Sequence, residues 1–155
     1  MAAILGSAYA DVFDAVGVHS GLAAGSAQDI PSAFAAMKGK ASSGGFAVDP
    51  KSGHARTMIV HGEKDRTVAA ANGASMFEAL VRAYPEAVLK ADTASERGLA
   101  RVCLELPDGS IVGENWVVPA LAHAWSGGDG AGSFTAPGMP DASEGFVRFF
   151  LDGKA

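Results

Sequence analysis

Short apolar runs alternate with helical patterns along this chain, and this alternation restricts the possible fold more than any other feature. Ala15–His19 and residues 57–61 each have the length of one buried strand, and each is followed by a loop. A helical pattern precedes the first run, and another follows the second run and ends at Pro85. Short buried strands connected through helices form mostly parallel sheets that are covered on both faces. The pattern therefore predicts the α/β class.

Two helices near the N-terminus are predicted with apolar faces. No Ser, Thr, Asp or Asn precedes the first helical pattern, so we expect the chain to begin inside this helix without a capping residue. Its apolar face is predicted from four residues at helical spacing: Met1, Ile4, Leu5 and Ala8. Pro31 favours the start of the second helix. Its predicted apolar face comprises Ala33, Phe34 and Met37.

A β-hairpin and a final helix are predicted in the second half of the chain. The turn signal Pro-Asp-Gly-Ser at 107–110 separates two strand patterns, at 101–106 and Ile111–Val118. Asp141 with Glu144 is a capping pattern, which predicts the start of the last helix. Residues 39–56 are rich in Gly and Ser and lack periodicity, so we expect an exposed loop there. Because no Pro-rich linker divides the chain, residues 1–155 are predicted to form one domain.

Composition and charge exclude several classes of function. The 155 residues are 48% hydrophobic and carry a formal net charge of -5, with Lys and Arg scattered, so no nucleic-acid partner is expected. No apolar run reaches the roughly 20 residues that a membrane helix needs, so no membrane partner is expected. Cys103 is the lone cysteine and is interpreted as a buried structural thiol. The four histidines lie far apart and no cysteine pair exists, so neither a metal site nor a cofactor is predicted.

Polar side chains follow three of the predicted strands. His19 and Ser20 end the first apolar run, Asp65 follows the second, and His123 follows the second arm of the hairpin. Functional crevices of open α/β sheets lie just beyond the carboxyl ends of the strands. We therefore expect these side chains to meet in one crevice. Trp125 is interpreted as a packing residue that is also a candidate for lining an acyl or aryl pocket there, and His19 is a second candidate for substrate binding.

Asp65 and His123 are candidates for the acid and the base of a serine-hydrolase triad. The chain order of α/β-hydrolase triads is Ser, then Asp or Glu, then His, with the acid and the histidine each after a late strand. Asp65 would accept the Nδ1 proton of His123 and fix its tautomer. The alternatives are a turn aspartate that bonds its own backbone and a structural loop histidine. His61, at a strand end, is interpreted as a core or loop histidine.

The nucleophile of such a triad is not evident in the chain. The nucleophile elbow Gly-x-Ser-x-Gly has no match, and the nearest stretch, GVHSG at 17–21, has Val18 where the first glycine is required. Ser20 also follows a strand without a clear helix after it. We therefore expect the elbow to lie upstream of Met1, with residues 1–10 forming the helix that follows it, and keep Ser20 as the alternative.

Four stretches of the chain resemble the polyhydroxybutyrate-depolymerase-like esterases, a branch of the α/β-hydrolases related to feruloyl and acetylxylan esterases. They span most of the chain: MAAIL with YADVF at 1–5 and 9–13, GVHSG at 17–21, VHGEKDRTV with NG at 60–68 and 72–73, and AHAWSGG with PDAS at 122–128 and 140–143. The resemblance implies the C-terminal half of an α/β-hydrolase sheet, mostly parallel, with helices on both faces and a β-hairpin. It also implies that Asp65 is the triad acid, His123 the triad base and Met1 an internal methionine.

Two hypotheses for function follow. In the first, the chain is the C-terminal segment of a serine carboxylic-ester hydrolase whose intact parent cleaves a polyester, an esterified sugar or an aryl acid ester. The resemblance favours an extracellular or periplasmic location for that parent. In the second, the chain is an inactive remnant or a binding module that holds a ligand around His19, Asp65 and Trp125, or that self-associates through an open sheet edge. A serine supplied by a separate chain is a third possibility.

Overall fold

A five-stranded sheet forms the centre of the protein, in a computed structural model that describes residues 1–40, 48, 53–92 and 98–152. The strands are arranged in the order β1-β2-β5-β4-β3. Their bounds are β1 Ala15–His19, β2 Arg56–Gly62, β3 Val88–Asp92, β4 Ala100–Glu105 and β5 Ile111–Val118. β1, β2 and β5 are parallel to one another, and β4 is antiparallel to both β5 and β3, so only β4 runs against the common direction. The predicted α/β class and mostly parallel sheet are confirmed.

Helices cover both faces of this sheet. The described helices are α1 Ala2–Ala8, α2 Ile30–Met37, α3 Ala71–Ala83 and α4 Ala142–Leu151. On one face, Ile59 of β2 belongs to a core cluster with residues of α1 and α3, and on the other face Met58 and Val60 belong to a cluster with residues of α4. β2 is therefore buried on both sides, which explains why residues 58–60 at its centre are apolar without alternation. None of the helices in the described ranges is long and apolar enough to cross a membrane.

The carboxyl ends of the three parallel strands lie at one edge of the sheet. The register pairs His19 with Val60, and Gly62 with Val118. Ser20 extends the first ladder by one bond, since its backbone N–H donates to Val60 O over 2.9 Å. The loops that follow β1, β2 and β5 therefore start next to one another. This register positions the residues of the candidate site.

The apolar face predicted for α1 is wrong. Met1 and Ile4 are 89% and 48% exposed, whereas Ala3 and Gly6 face the sheet and are buried. A Cβ atom on Gly6 would lie 2.7 Å from Val16 Cγ2, so the helix axis lies very close to β1. Only small residues fit such a contact, and the larger apolar side chains are turned away from the sheet. Met1 is the N-cap of α1 and makes no side-chain capping hydrogen bond.

The start of α2 is as predicted, but its buried face is not. Asp29 caps the helix by accepting a hydrogen bond from the Ser32 backbone N–H over 2.8 Å, and Pro31 occupies the first turn. Phe34 is 63% exposed, and Ala36 is the buried residue of this helix. Most of the loop predicted at 39–56 lies outside the described residues, and Arg56 already belongs to β2.

The hairpin and the last helix are confirmed. β4 and β5 pair antiparallel, and Gly109 adopts the left-handed conformation in the turn between them, with φ 87°. Asp141 caps α4 by accepting from the backbone N–H groups of Ser143 and Glu144. β3, which pairs with β4, was not predicted.

A buried carboxylate connects the hairpin to α4. Glu114 on β5 accepts hydrogen bonds from Arg101 Nε at 2.8 Å, from Trp116 Nε1 at 2.6 Å and from Arg148 of α4. Burial by itself would raise the pKa of Glu114, but the two arginines lower it.

Cys103 is half-buried beside this carboxylate, and burial together with the negative charge of Glu114 raises the pKa of its thiol. The thiol is therefore kept protonated and unreactive.

Candidate active site

The loop after β2 and the segment after β5 are held together at Gly62. A Cβ atom at this position would lie 2.3 Å from the Leu121 carbonyl oxygen, so only glycine permits the close approach of the two chains. The backbone N–H of Lys64 donates to that same oxygen over 3.0 Å. As a result, the loop that carries Asp65 lies directly beside the segment that carries His123.

Both carboxylate oxygens of Asp65 are used by hydrogen bonds. Oδ1 accepts from the backbone N–H groups of Thr67 and Val68, at 2.9 and 2.8 Å, and Oδ2 accepts from His123 Nδ1 at 2.8 Å. The side chain is fully buried. Burial would raise the pKa of Asp65, but the hydrogen bonds from His123, Val68 and Thr67 together lower it below its usual range. Asp65 is thus an ionised acceptor that fixes the ring of His123.

His123 has one engaged and one available ring nitrogen. Its Nδ1 donates to Asp65, so Nε2 is the nitrogen that can take up a proton. Its side chain is 41% exposed, in contrast to the buried carboxylate behind it. Among the described residues, no serine hydroxyl donates to this ring. The pair has the geometry of a base and the acid that orients it.

His61, interpreted from the sequence as a core or loop histidine, is buried and makes a loop hydrogen bond beside this pair. Its Nε2 lies 2.9 Å from the Val68 carbonyl oxygen and 3.6 Å from Asp65 Oδ2. A carbonyl oxygen only accepts, so Nε2 carries the proton, while Nδ1 is buried without a partner. Gly73 lies so close that a Cβ atom there would be 2.9 Å from Nδ1. His61 therefore stabilises the loop that carries Asp65 through its hydrogen bond to the Val68 carbonyl oxygen.

A pocket of about 480 Å³ opens beside His123. Its lining is mostly apolar and comprises His19, Ser20, His123, Ala124, Trp125 and Phe134. Ser20 is 8% exposed, its Oγ has no hydrogen-bond partner, and its backbone is in the left-handed region with φ 50°. The structure thus brings four of the predicted residues to one pocket, and Asp65 lies behind His123.

His19 and Trp125 form one wall of this pocket. Their rings are stacked, with centroids 4.7 Å apart and an interplanar angle of 19°. His19 Nε2 accepts the Ser126 backbone N–H over 3.0 Å, and Trp125 Nε1 donates to Ser143 Oγ over 3.1 Å. Burial, followed by the nearby His61 and His123, lowers the pKa of His19 to about 4. At neutral pH this ring is an uncharged acceptor.

Phe134 is a lining residue that the sequence analysis missed. It lies in a glycine-rich loop between two short paired strands, β6 Trp125–Ser126 and β7 Thr135–Ala136. Its side chain is 79% exposed and its backbone is left-handed, with φ 60°. The backbone N–H of Trp125 fixes the position of Phe134 by donating to the Phe134 carbonyl oxygen over 2.7 Å. Nothing in the loop sequence marks this residue, because its position depends on the β6–β7 pairing.

The comparison with known families identifies the ancestry of the chain. A sequence profile of the family described as Esterase PHB depolymerase matches residues 1–103, which is more than half of the chain. The chain belongs to the PHB depolymerase esterase family. The matched range includes β1 and the loop of Asp65, whereas His123 lies beyond it. A comparison with curated protein sequences found no match.

Membership of the PHB depolymerase esterase family is consistent with what the site can do chemically. The family indicates an esterase-like origin and an ester as the substrate of the parent enzyme. Within the described ranges, no group of three or more His, Cys, Asp or Glu side chains is arranged to hold a metal ion. Beside the pocket lie an imidazole with a carboxylate behind it, and the Ser20 hydroxyl, which is buried without a hydrogen-bond partner.

Proposed function

We propose that this member of the PHB depolymerase esterase family supplies the acid and the base of a serine carboxylic-ester hydrolase. The observation that carries the proposal is the hydrogen bond of 2.8 Å from His123 Nδ1 to the buried carboxylate of Asp65. It holds the imidazole in the tautomer whose Nε2 can accept a proton from a nucleophile. The hydrogen bonds to Asp65 lower the pKa of its carboxyl group, so the acid is ionised at neutral pH.

In this proposal His123 acts first as a base and then as an acid. Its Nε2 removes the proton of a serine hydroxyl as the serine oxygen attacks the ester carbonyl carbon. The same proton passes to the departing alkoxide when the C–O bond breaks, which leaves an acyl-enzyme. Water then repeats the sequence and releases the acid. Asp65 stabilises the imidazolium in both halves without becoming protonated.

We further propose that residues 1–155 form part of an α/β-hydrolase domain whose nucleophile elbow precedes Met1. Two observations support this over Ser20 as the nucleophile. Ser20 lines the same pocket as His123, yet no hydrogen bond joins them, and no helix begins directly after Ser20, since α2 starts at Ile30. A nucleophile elbow needs a helix immediately after the serine.

The pocket supports an ester with an apolar acyl or aryl group. Ala124, Trp125 and Phe134 supply most of the apolar lining beside His123. Such a surface binds hydrocarbon by burial and leaves orientation to a few polar groups. Trp125 and His19 are proposed as substrate-side residues in this sense.

Short p-nitrophenyl esters and a fluorophosphonate probe test the proposal. The chain of 155 residues is compared with one extended at the N-terminus to include an upstream Gly-x-Ser-x-Gly. Only the extended chain should hydrolyse the esters and take up the probe, and mass spectrometry should find the probe on the upstream serine. His123→Ala should lower its kcat about 10³-fold or more. His54→Ala, a half-buried histidine that does not line the pocket, is the matched control.

Three results would contradict the proposal. Probe attached to Ser20 would make that residue the nucleophile. Hydrolysis that survives His123→Ala would remove His123 from the reaction. An extended chain that folds but neither hydrolyses esters nor takes up the probe would favour the alternative of a ligand-binding module, which the preformed apolar pocket also allows.

A further inference from the structure

We propose that His19 is a positioning residue that holds the segment following His123 against the carboxyl end of β1. This inference deepens the proposed function, because His123 is the base in that proposal. The contacts that carry it are the hydrogen bond from the Ser126 N–H to His19 Nε2 and the stacking of the His19 ring on Trp125. Both partners belong to β6, which starts two residues after His123.

Removal of His19 would take away the acceptor of the Ser126 amide. Ser126 is completely buried, and its Oγ donates to the Pro140 carbonyl oxygen over 2.6 Å. Its side chain therefore anchors the segment on the side of α4, and the backbone N–H anchors it on the side of β1. Without an acceptor at position 19, a buried N–H would lack a hydrogen bond, and the segment would have to move to reach water.

The hydrogen bond from the Ser126 N–H defines which ring nitrogen of His19 carries the proton. A ring nitrogen that accepts an N–H carries no proton, so neutral His19 has its proton on Nδ1. His123 also carries its proton on Nδ1 and donates it to Asp65, whereas His61 carries its proton on Nε2 and donates it to the Val68 carbonyl oxygen. Burial and the nearby His61 and His123 favour the neutral form of His19, and Asp65 opposes them. A proton added to Nε2 would face the Ser126 N–H and break the contact.

A positioning role and a substrate-binding role predict different kinetic changes. If His19 only contacted substrate, its loss would raise KM and leave the orientation of His123 unchanged. If it positions the segment of His123, its loss lowers kcat in an active, N-terminally extended chain and also changes the free protein. The second consequence can be measured in the chain of 155 residues without any catalysis.

Two substitutions separate the acceptor from the ring. His19→Gln keeps an acceptor oxygen near the place of Nε2, whereas His19→Phe keeps a ring that can stack on Trp125 but removes the acceptor. NMR hydrogen exchange of the Ser126 amide and the downfield Nδ1 proton signal of His123 are recorded for both. In His19→Phe we expect exchange to accelerate about tenfold or more and the His123 signal to broaden or disappear. His19→Gln should remain close to the wild type.

The wild-type protein provides an independent measurement that does not depend on a variant folding. Long-range ¹H–¹⁵N correlation of the His19 ring should show the Nδ1–H tautomer at neutral pH, and the ring should become protonated only near pH 4. A His19 in the Nε2–H tautomer would overturn the proposal, as would unchanged Ser126 exchange in His19→Phe. Failure of the extended chain to hydrolyse esters would refute the proposed function and leave these NMR results decisive for His19.

Discussion

Three histidines near the pocket differ because their partners differ. His61 is buried and donates to the Val68 carbonyl oxygen, His19 accepts the Ser126 amide, and His123 donates to the carboxylate of Asp65 with its other face exposed. Only His123 combines an available ring nitrogen at the pocket with a charged partner that can stabilise its protonated form. Residue type alone would not distinguish among the three, whereas the hydrogen-bond partner does.

Substitution of Asp65 by Asn should destabilise the protein and disturb His123. Asn offers one oxygen and one NH₂ group, so the two backbone N–H groups and the Nδ1 proton of His123 can no longer all be accepted, and His123 must adopt the opposite tautomer to accept from the NH₂. Hydrogen bonds to a buried charged group contribute about 1.5–3 kcal/mol. We therefore expect Asp65→Asn to lower the free energy of unfolding by about 2 kcal/mol in urea titrations at pH 7.

The acid dependence of stability gives Asp65→Asn a second readout. The pKa of Asp65 is lower in the folded protein than its ordinary value of 3.8, so its stabilisation is complete above pH 3.8 and is lost as the pH falls through the folded pKa. Asp65→Asn should lack this part of the acid-induced loss. Asp129→Asn, at an exposed carboxylate that accepts from the Ala131 N–H, is the control and should change stability by less than about 0.5 kcal/mol. Equal effects of the two substitutions would refute the special role of Asp65.

At the scale of elements, the packing of α4 on the sheet depends on a glycine. A Cβ atom on Gly145 would lie 2.4 Å from Trp116 Cη2. The indole has little room to move, since it is 7% exposed and its Nε1 donates to Glu114 over 2.6 Å. Gly145→Ala should therefore destabilise the protein by up to about 2 kcal/mol, because the overpacking cost of about 1–3 kcal/mol is offset by a helix-propensity gain of about 1 kcal/mol.

Thermal and urea unfolding of two glycine variants test this contact. Gly138→Ala is the matched control, because a Cβ atom there meets nothing within 4 Å. Its stability should stay within about 0.5 kcal/mol of the wild type. If Gly145→Ala were more stable than the wild type, the close packing of α4 against Trp116 would be wrong.

Elements with a strong local pattern were predictable from the sequence. The bounds of β1 and β5 match the predicted ones, and Asp141 caps the start of α4 as expected. The buried face of α1 was not predictable, because apolarity indicates what can be buried but not how near two elements approach. There the short distance between Gly6 and Val16 selects small residues.

The candidate site was predictable only in part. Asp65 and His123 were found because the chemistry of a triad constrains their order and their positions after strands. The roles of His61 and Phe134, and the bond from Ser126 to His19, depend on contacts between segments far apart in the sequence. No local pattern encodes such contacts. Strands β6 and β7 have two residues each, which is too few to show a periodic pattern in the sequence.

At the scale of the whole molecule, the two edges of the sheet differ in chemistry. The β3 edge carries Lys90 and Asp92, which form ion pairs with residues of β4. Such charges protect an edge strand from pairing with another chain. β1 has no Asp, Glu, Lys or Arg side chain, and α1, which packs on it, exposes Met1 and Ile4. The backbone N–H of Ser20 points towards β2. Because successive N–H groups of a strand point to opposite sides, those of Gly17 and His19 point away from β2, to the side of β1 that pairs with no strand of the described sheet.

This difference predicts that the isolated chain associates through the β1 edge. Sedimentation velocity should show an average mass that rises with protein concentration. Ala15→Pro places a proline at the first position of an edge strand, where the N–H lies on the open side, and Ile4→Lys adds a charge to the exposed apolar surface of α1. Both should shift the protein towards monomer, whereas Val88→Lys, at an exposed apolar residue of the opposite edge, should not. The prediction would be contradicted by a wild-type chain that stays monomeric at all concentrations and unfolds in one sharp, concentration-independent transition. Exposure of the β1 edge to water would then have no measurable free-energy cost.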